Sequence, residues 1–289
     1  MADTRATRSR QAFRAVLEGG TCVHPASVHD PLSARIAAGL GFEVGMLAGS
    51  VAALAVLGAP DLVLLTLTEF AEQARRICRA ADLPLLVDAD HGYGNALGVM
   101  RTVEELEAAG VAALTIEDTA LPAPYATSSP VLLSAAEGAG KIAAALAARQ
   151  DRTLAVIART SAVGITGIDD AVARVRAYSS LGPDAVFLTG VTTPAQLAAI
   201  SDATDLPLIL GNAPAALGDR PALAAARVRV SLQGHLPFMA ALRAVHETLA
   251  ALRAGTPPAA IANQPPPALV RELTRAADYQ DRTRRFLGG

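Results

Sequence analysis

Short apolar runs alternate with longer amphipathic stretches along this chain, and each apolar run closes on Gly, Asp or another polar residue. There are eight: TCVHPA (21–26), FEVGMLAG (42–49), PLLVDAD (84–90), ALTIED (113–118), LAVIART (154–160), AVFLTG (185–190), PLILGN (207–212) and VRVSLQG (228–234). Unbroken apolar runs of this length, bounded by turn residues, are the pattern of parallel strands buried on both faces. Between them, 68–81, 99–109, 134–148, 169–181 and 236–252 repeat apolar residues at intervals of three and four, which predicts helices. Strand, helix and parallel strand in alternation require crossovers, and eight such units close most naturally into a (β/α)8 TIM barrel. An open doubly wound sheet would carry a Gly-rich phosphate turn after its first strand, and GxGxxG is absent. At 289 residues the chain reads as one domain, 1–289, with the barrel at about 12–250 and a C-terminal helical extension at about 251–289.

Composition narrows the partners. With 52% hydrophobic and 18% charged residues and a net charge of −2, the chain has a large aliphatic core and no basic stripe. Nucleic acid and membrane surfaces are therefore not expected partners, and a small molecule is. The uncharged stretch 44–60 is interrupted by Gly45, Gly49, Ser50, Gly58 and Pro60 and is shorter than the ~20 apolar residues a bilayer requires. Cys22 and Cys78 have neither metal nor disulfide spacing, and the N-terminal segment lacks the apolar core of a signal peptide; both suit a cytoplasmic enzyme. Two connections exceed the minimal repeat: 50–68, and 119–133, which holds Pro122, Pro124 and Pro130 and no charge. Long loops after barrel strands serve as walls or lids of active sites. The Pro cluster at 264–267 reads as a connector into a last helix that packs on a neighbour.

In a barrel the working residues stand where strands end. Asp88 and Asp90, two apart in DADHGYGN, can aim at one point, and Glu117 on the next strand can join them. Carboxylates crowded in a buried mouth repel one another unless a cation sits among them, and an all-oxygen shell suits Mg²⁺ or Mn²⁺. Mg²⁺ keeps several waters, so Asp88 is expected to bind it directly and Asp90 and Glu117 through water. Taken singly, either aspartate would be a turn former for HGYG, and Tyr93 reads as a wall residue. Arg159 ends an otherwise apolar strand, where it can hold a substrate carboxylate or form a structural ion pair with Glu117 or Asp118. His235 follows Gly234 at the end of the last strand, where ligand contact or proton transfer is open to it. Gly49 and Ser50 offer backbone N–H groups and a hydroxyl to a carboxylate or enolate oxygen. His24, His29 and His246 have no partner spacing.

The segments GFEVGMLAGS, Ala59-Pro60-Asp61, DADHGYGN, ALTIEDT and ARTSA run in an order and spacing that resembles the isocitrate lyase/phosphoenolpyruvate mutase superfamily over roughly 12–250. DADHGYGNA with QGH near 235 is most similar to its oxaloacetate decarboxylase branch. The resemblance implies a Mg²⁺-dependent barrel whose eighth helix is exchanged between paired subunits, commonly in a homotetrameric dimer of dimers. It also implies that Asp88 coordinates the metal, that Asp61, Asp90 and Glu117 hold its waters, and that Ser50, Arg159 and His235 bind an α-keto acid.

Absences discriminate further. The superfamily's C–C lyases carry a Lys-Lys-Cys-Gly-His loop, whereas the loop here reads TALPAPYATSSP and has no Cys; nor has it the Lys and Asn that meet a phosphoryl group in the mutase and phosphonopyruvate hydrolase. The chain also departs from the decarboxylases, with Ser161 in place of an Asn and Gly211-Asn212-Ala213-Pro214 in place of a Tyr-bearing turn, which puts substrate choice in question. The expected activity is Mg²⁺-dependent decarboxylation of oxaloacetate, or a close 2-oxo dicarboxylate, to pyruvate and CO₂ through a metal-stabilised enolate. Its rivals are other C–C or C–P chemistry on a 2-oxo or 2-hydroxy acid, and a barrel that binds a metabolite without turning it over.

Overall fold

Eight parallel strands, hydrogen-bonded in sequence order β1 to β8, form the sheet of the computed structural model, which describes residues 4–262 and 264–288. Residues 1–3 of the N-terminal segment read above lie outside those described. The chain divides into two compact units, Met1–His235 and Leu236–Gly289.

In the first unit α1 (Arg5–Glu18) leads into β1 (Ala26–Ser27), α2 (Pro31–Gly39), β2 (Gly45–Leu47), α3 (Gly49–Leu57) and α4 (Leu67–Cys78). Then follow β3 (Leu85–Asp88), α5 (Ala96–Ala109), β4 (Ala113–Glu117), α6 (Ala135–Ala148), β5 (Ala155–Thr160), α7 (Ala162–Ile165) and α8 (Ile168–Ser179). The unit ends with β6 (Ala185–Leu188), α9 (Pro194–Ser201), β7 (Leu208–Leu210), α10 (Arg220–Ala225) and β8 (Val228–Ser231). The strands are buried on both faces, as their apolar runs require. Helix starts follow side-chain chemistry: Asp30, Thr66 and Thr193 make reciprocal capping boxes with Ser33, Glu69 and Gln196.

The first predicted strand, 21–26, is displaced: regular pairing with β2 involves only Ala26 and Ser27. Pro25 has no N–H to give a ladder, so the run is split there. On its far side Val23 bridges Val230 of β8, donating to the Arg229 carbonyl at 2.9 Å and accepting from Ser231 N–H at 3.0 Å, which joins the last strand back to the first segment. The connection 50–68 contains a helix, α3, that the sequence reading took for loop. Its two glycines stand at the ends, Gly49 as the first helical residue and Gly58 as a left-handed C-cap (φ 63°), and leave the Ala/Leu-rich interior intact.

Helix α1 lies against the N-terminal ends of the strands, opposite the chemistry. Buried Arg10 donates to the carbonyls of Val111 and Glu107 and pairs with Asp151 at 2.6 Å, while Arg14 reaches Thr153 O and Asp184. In the second unit, α11 (Leu236–Arg253), α12 (Pro267–Leu273) and α13 (Ala276–Leu287) succeed one another, so the Pro cluster leads into two short helices. Along α11, Leu236, Met239, Leu242, Val245, Leu249 and Leu252 are exposed at intervals of three and four. Among the described residues no helix is long and apolar enough to cross a membrane.

Candidate active site

Strand register builds the site. Asp88 pairs with Thr115 across β3–β4, Glu117 with Arg159 across β4–β5, and Arg159 with Phe187 across β5–β6. Residues opposite one another in neighbouring strands share a face, so these side chains meet. Thr115 Oγ1 donates to Asp88 Oδ1 at 2.9 Å, as does the Asp90 backbone N–H at 3.3 Å. Asp88 Oδ2 accepts from Arg159 Nη1. The other guanidinium arm stands 3.3 Å from Glu117 Oε2, and Phe187 lies beneath it with its ring centroid 5.2 Å from Cζ. Arg159 thus forms the ion pair with Glu117 that the sequence left open, and one with Asp88, but none with Asp118.

Asp90 sits in the left-handed region (φ 48°) and accepts the Glu117 N–H on its carbonyl at 2.9 Å. Its carboxylate lies over Gly49, where a Cβ would stand 2.7 Å from Oδ2. The close approach explains why the position after Ala48 carries no side chain.

Asp88, Asp90, Glu117, Arg159 and Phe187 line a cavity of about 730 Å³ with Ser50, Asp61 and His235. Seven of the eight predicted site residues therefore line it, and the eighth, Gly49, supports Asp90 from beneath. Burial, and then repulsion from Asp88 and Glu117, raise the Asp90 pKa well above the usual carboxylate range, against the pull of Arg159. Burial also raises Glu117, opposed by Arg159, and raises Asp61 with help from Asp88. Arg159 holds its proton more tightly than usual: burial works against it, but Asp88, Glu117 and Asp90 outweigh burial. His235 is pulled down by burial, against Asp88 and Asp61. Its Nδ1 is 3.0 Å from Ser27 Oγ, which leaves Nε2 for other partners.

Asp118 is not part of the cavity wall. Its Oδ2 accepts from Tyr178 Oη at 2.6 Å, Arg174 Nη1 at 2.9 Å and Thr160 Oγ1 at 3.0 Å. Arg174 also donates to Leu133 O, and Leu133 N–H to Asp118 O, so this hub fixes the base of the 119–133 loop. The two legs of the loop pair through Thr119 and Leu132 and through Ala120 N–H to Val131 O at 2.8 Å. Its tip, with Tyr125 fully exposed, overhangs the cavity that the loop helps to line.

Sequence reading missed Thr115, Ser27, Thr189, Phe187 and the Arg174–Tyr178 hub. Arg174 had a signal: an arginine on the core-facing side of an amphipathic helix, four residues from both Asp170 and Tyr178.

The donor set is all oxygen, and four carboxylates face one guanidinium, so a divalent cation fits the charge of the site. Among the described residues no three His, Cys, Asp or Glu side chains converge as a preformed direct ligand cage.

A parallel eight-stranded α/β barrel with a carboxylate-rich cavity at its C-terminal strand ends, walled by a long loop, defines a TIM-barrel enzyme. The chain belongs to the phosphoenolpyruvate phosphomutase family, whose model matches residues 13–253. It is 56% identical over 279 residues to an oxaloacetate decarboxylase of Rhodopseudomonas palustris (strain BisB18), covering 96% of this chain and 97% of that one. It is 54% identical over 278 residues to one from Bradyrhizobium sp. (strain BTAi1), covering 96% of each. Among solved structures, phosphonopyruvate hydrolase in complex with oxalate and Mg²⁺ superposes with a TM-score of 0.83 at 33% identity, covering 96% of this chain and 99% of that one. Oxaloacetate acetylhydrolase in complex with oxalate also gives 0.83, at 28% identity, covering 98% and 99%.

Proposed function

We propose that this chain is a carboxy-lyase that decarboxylates oxaloacetate, or a close 2-oxo dicarboxylate, to pyruvate and CO₂ with Mg²⁺ as its cation and Mn²⁺ as an alternative. The observation that carries the reading is the asymmetry of the cavity. Asp61, Asp88, Asp90 and Glu117 stand at or after the neighbouring ends of β2 to β4, whereas among the described residues the rest of the wall and the 119–133 lid contain no cation beyond Arg159 and no cysteine. Relatives above 50% identity over nearly the whole chain are oxaloacetate decarboxylases, which supports the same substrate.

Asp88 would hold the cation directly, with Asp61, Asp90 and Glu117 holding its waters, an arrangement that suits an ion reluctant to lose its hydration. When bound, the cation supplies Lewis-acid polarisation of the 2-oxo acid. Thr115 keeps Asp88 aligned from behind, and Gly49 lets Asp90 approach. Arg159 orients a substrate carboxylate, its fork already aimed by Asp88, Glu117 and Phe187. Cleavage of the bond to the distal carboxylate releases CO₂ and leaves an enolate. Ala48, the N-cap of α3, offers no side-chain cap, so the N–H groups of the helix's first turn and Ser50 Oγ are donors available to that oxygen. His235, oriented by Ser27, delivers the proton at C3 directly or through a water. The uncharged lid excludes water without gripping the carboxylate that must leave.

The enzyme is further proposed to work in the cytoplasm as a homo-oligomer, a dimer of dimers exchanging α11. The exposed apolar stripe on that helix supports exchange, and the two free cysteines suit a reducing compartment.

The test is parallel turnover of oxaloacetate and phosphonopyruvate, with Mg²⁺ and with EDTA, corrected for spontaneous decarboxylation. Pyruvate from oxaloacetate alone, abolished by EDTA, is expected. Phosphate from phosphonopyruvate without decarboxylation would replace the reading with C–P hydrolysis.

A further inference from the structure

The cavity wall beyond Arg159, at the ends of β5 and β6, carries two hydroxyls. Ser161, just after β5, and Thr189, just after β6, both line the cavity, and Thr189 Oγ1 donates to Ser161 Oγ at 2.8 Å. That bond uses a lone pair of Ser161 and leaves its proton for another acceptor. Ser161 precedes α7, yet its side chain caps nothing. Capping falls to Thr160, whose Oγ1 accepts from Ala162 N–H at 3.3 Å while donating to Asp118.

The surrounding backbone holds the pair in place. Gly190 (φ 79°) follows Thr189 and packs on α7 so closely that a Cβ there would stand 3.0 Å from Gly164 N. A Cβ at Gly211, on the next strand end, would stand 2.9 Å from Thr189 Cγ2. Thr189 is thus confined between α7 and the end of β7, Ser161 is held to it by their hydrogen bond, and the donor left over belongs to Ser161.

We infer that Ser161, held by Thr189, is the specificity-determining contact for the distal carboxylate of the substrate. The inference rests on the decarboxylase reading and deepens it. A 2-oxo dicarboxylate whose 2-oxo acid end lies at Asp88 directs its other carboxylate along the rim toward the ends of β5 and β6. Among the described residues that line the cavity it meets neutral donors there and no second guanidinium or ammonium group. One hydroxyl donor suits a monoanionic carboxylate, whereas a phosphonate dianion calls for cations. The neutrality also serves the reaction. The distal group loses its charge as it becomes CO₂, so a cation there would stabilise the ground state more than the transition state. A hydroxyl places the group with less of that penalty.

The test uses Ser161→Ala, Thr189→Val and Ser161→Thr, with calorimetric binding in Mg²⁺ of two probes: 3,3-difluorooxaloacetate, which carries a distal carboxylate, and oxalate, which has no distal arm. Ser161→Ala should bind the difluoro compound about tenfold more weakly, the scale of one lost hydrogen bond to a charged group, with oxalate unchanged. Thr189→Val should show a smaller change in the same direction, and Ser161→Thr should restore affinity to within about twofold. With oxaloacetate as substrate, Ser161→Ala should raise KM about tenfold and leave kcat equal or higher, a split that a merely structural role would not give. Equal weakening of both probes, or no weakening of either, overturns the inference. A wild-type protein that binds both probes but releases no pyruvate would refute the decarboxylase reading alone, and the difference between the probes would still decide the role of Ser161. Failure of the wild type to bind the difluoro compound refutes both.

Discussion

Gly49 and Asp90 are in contact so close that a single methyl group at position 49 would stand 2.7 Å from a carboxylate oxygen. The start of α3 and the turn after β3 are therefore set against each other, and the direction of the Asp90 carboxylate depends on a residue with no side chain. Gly49→Ala should push that carboxylate aside. Outer contacts that orient metal-site carboxylates are worth about 10–100-fold in metal affinity or activity, so the Mg²⁺ activation curve should shift by that order. Thermal melting should move little, because Gly49 has an ordinary helical position that alanine favours.

Arg174 and Tyr178 hold Asp118 where three donors share one oxygen. Arg174→Met leaves a buried carboxylate without its cation and should cost about 3–5 kcal/mol in urea unfolding. Tyr178→Phe removes one donor and should cost about 1–3 kcal/mol. Because Arg174 also carries Leu133 O at the base of the lid, its substitution should raise KM as well as lower stability, a combination that steady-state kinetics on the folded variant reads.

Acid sensitivity should be shaped at the other end of the barrel. Burial works against ionisation of Asp151, but the Thr153 hydroxyl and amide and the Arg10 guanidinium outweigh it and bring its pKa to about 2. A carboxyl with a lowered folded-state pKa contributes stability in full above its ordinary value near 3.8, and loses it as pH falls through about 2. Asp151→Asn should therefore be less stable than wild type at neutral pH, with the difference narrowing below pH 4. Urea midpoints measured from pH 7 downward check the sign.

Cys78 is pushed up to about 12 by burial, and Cys22 is raised for the same reason. The thiolate is the reactive form, so neither should react with a disulfide reagent at pH 8 in the native protein within minutes. Both should react at once in guanidinium.

Much of the fold was legible because its strands are buried on both faces and its helices on one, and those two patterns differ in kind. DADHGYGN and ALTIED pointed to three carboxylates that the structure brings into one cavity, since strand ends of a barrel share one face. The misses have local causes. Pro25 splits the first strand, and the glycines bounding α3 look like interruptions when only composition is considered. Thr115, Ser27 and Thr189 escaped notice because a hydroxyl in a strand has no pattern of its own; register alone shows that Thr115 faces Asp88. For Arg159 the sequence offered an ion pair or a ligand contact, and the structure shows the ion pair with Asp88 and Glu117.

The most direct test of the central claim is pyruvate release from oxaloacetate by Asp88→Asn beside the wild type, in saturating Mg²⁺ and corrected for the uncatalysed rate. The substitution keeps the side chain's shape and removes the charge. Wild-type turnover with a loss of at least about 100-fold in the variant, which still melts cooperatively, is the predicted result. A folded Asp88→Asn protein that decarboxylates oxaloacetate at the wild-type rate would contradict the assignment of this carboxylate cluster as the catalytic centre.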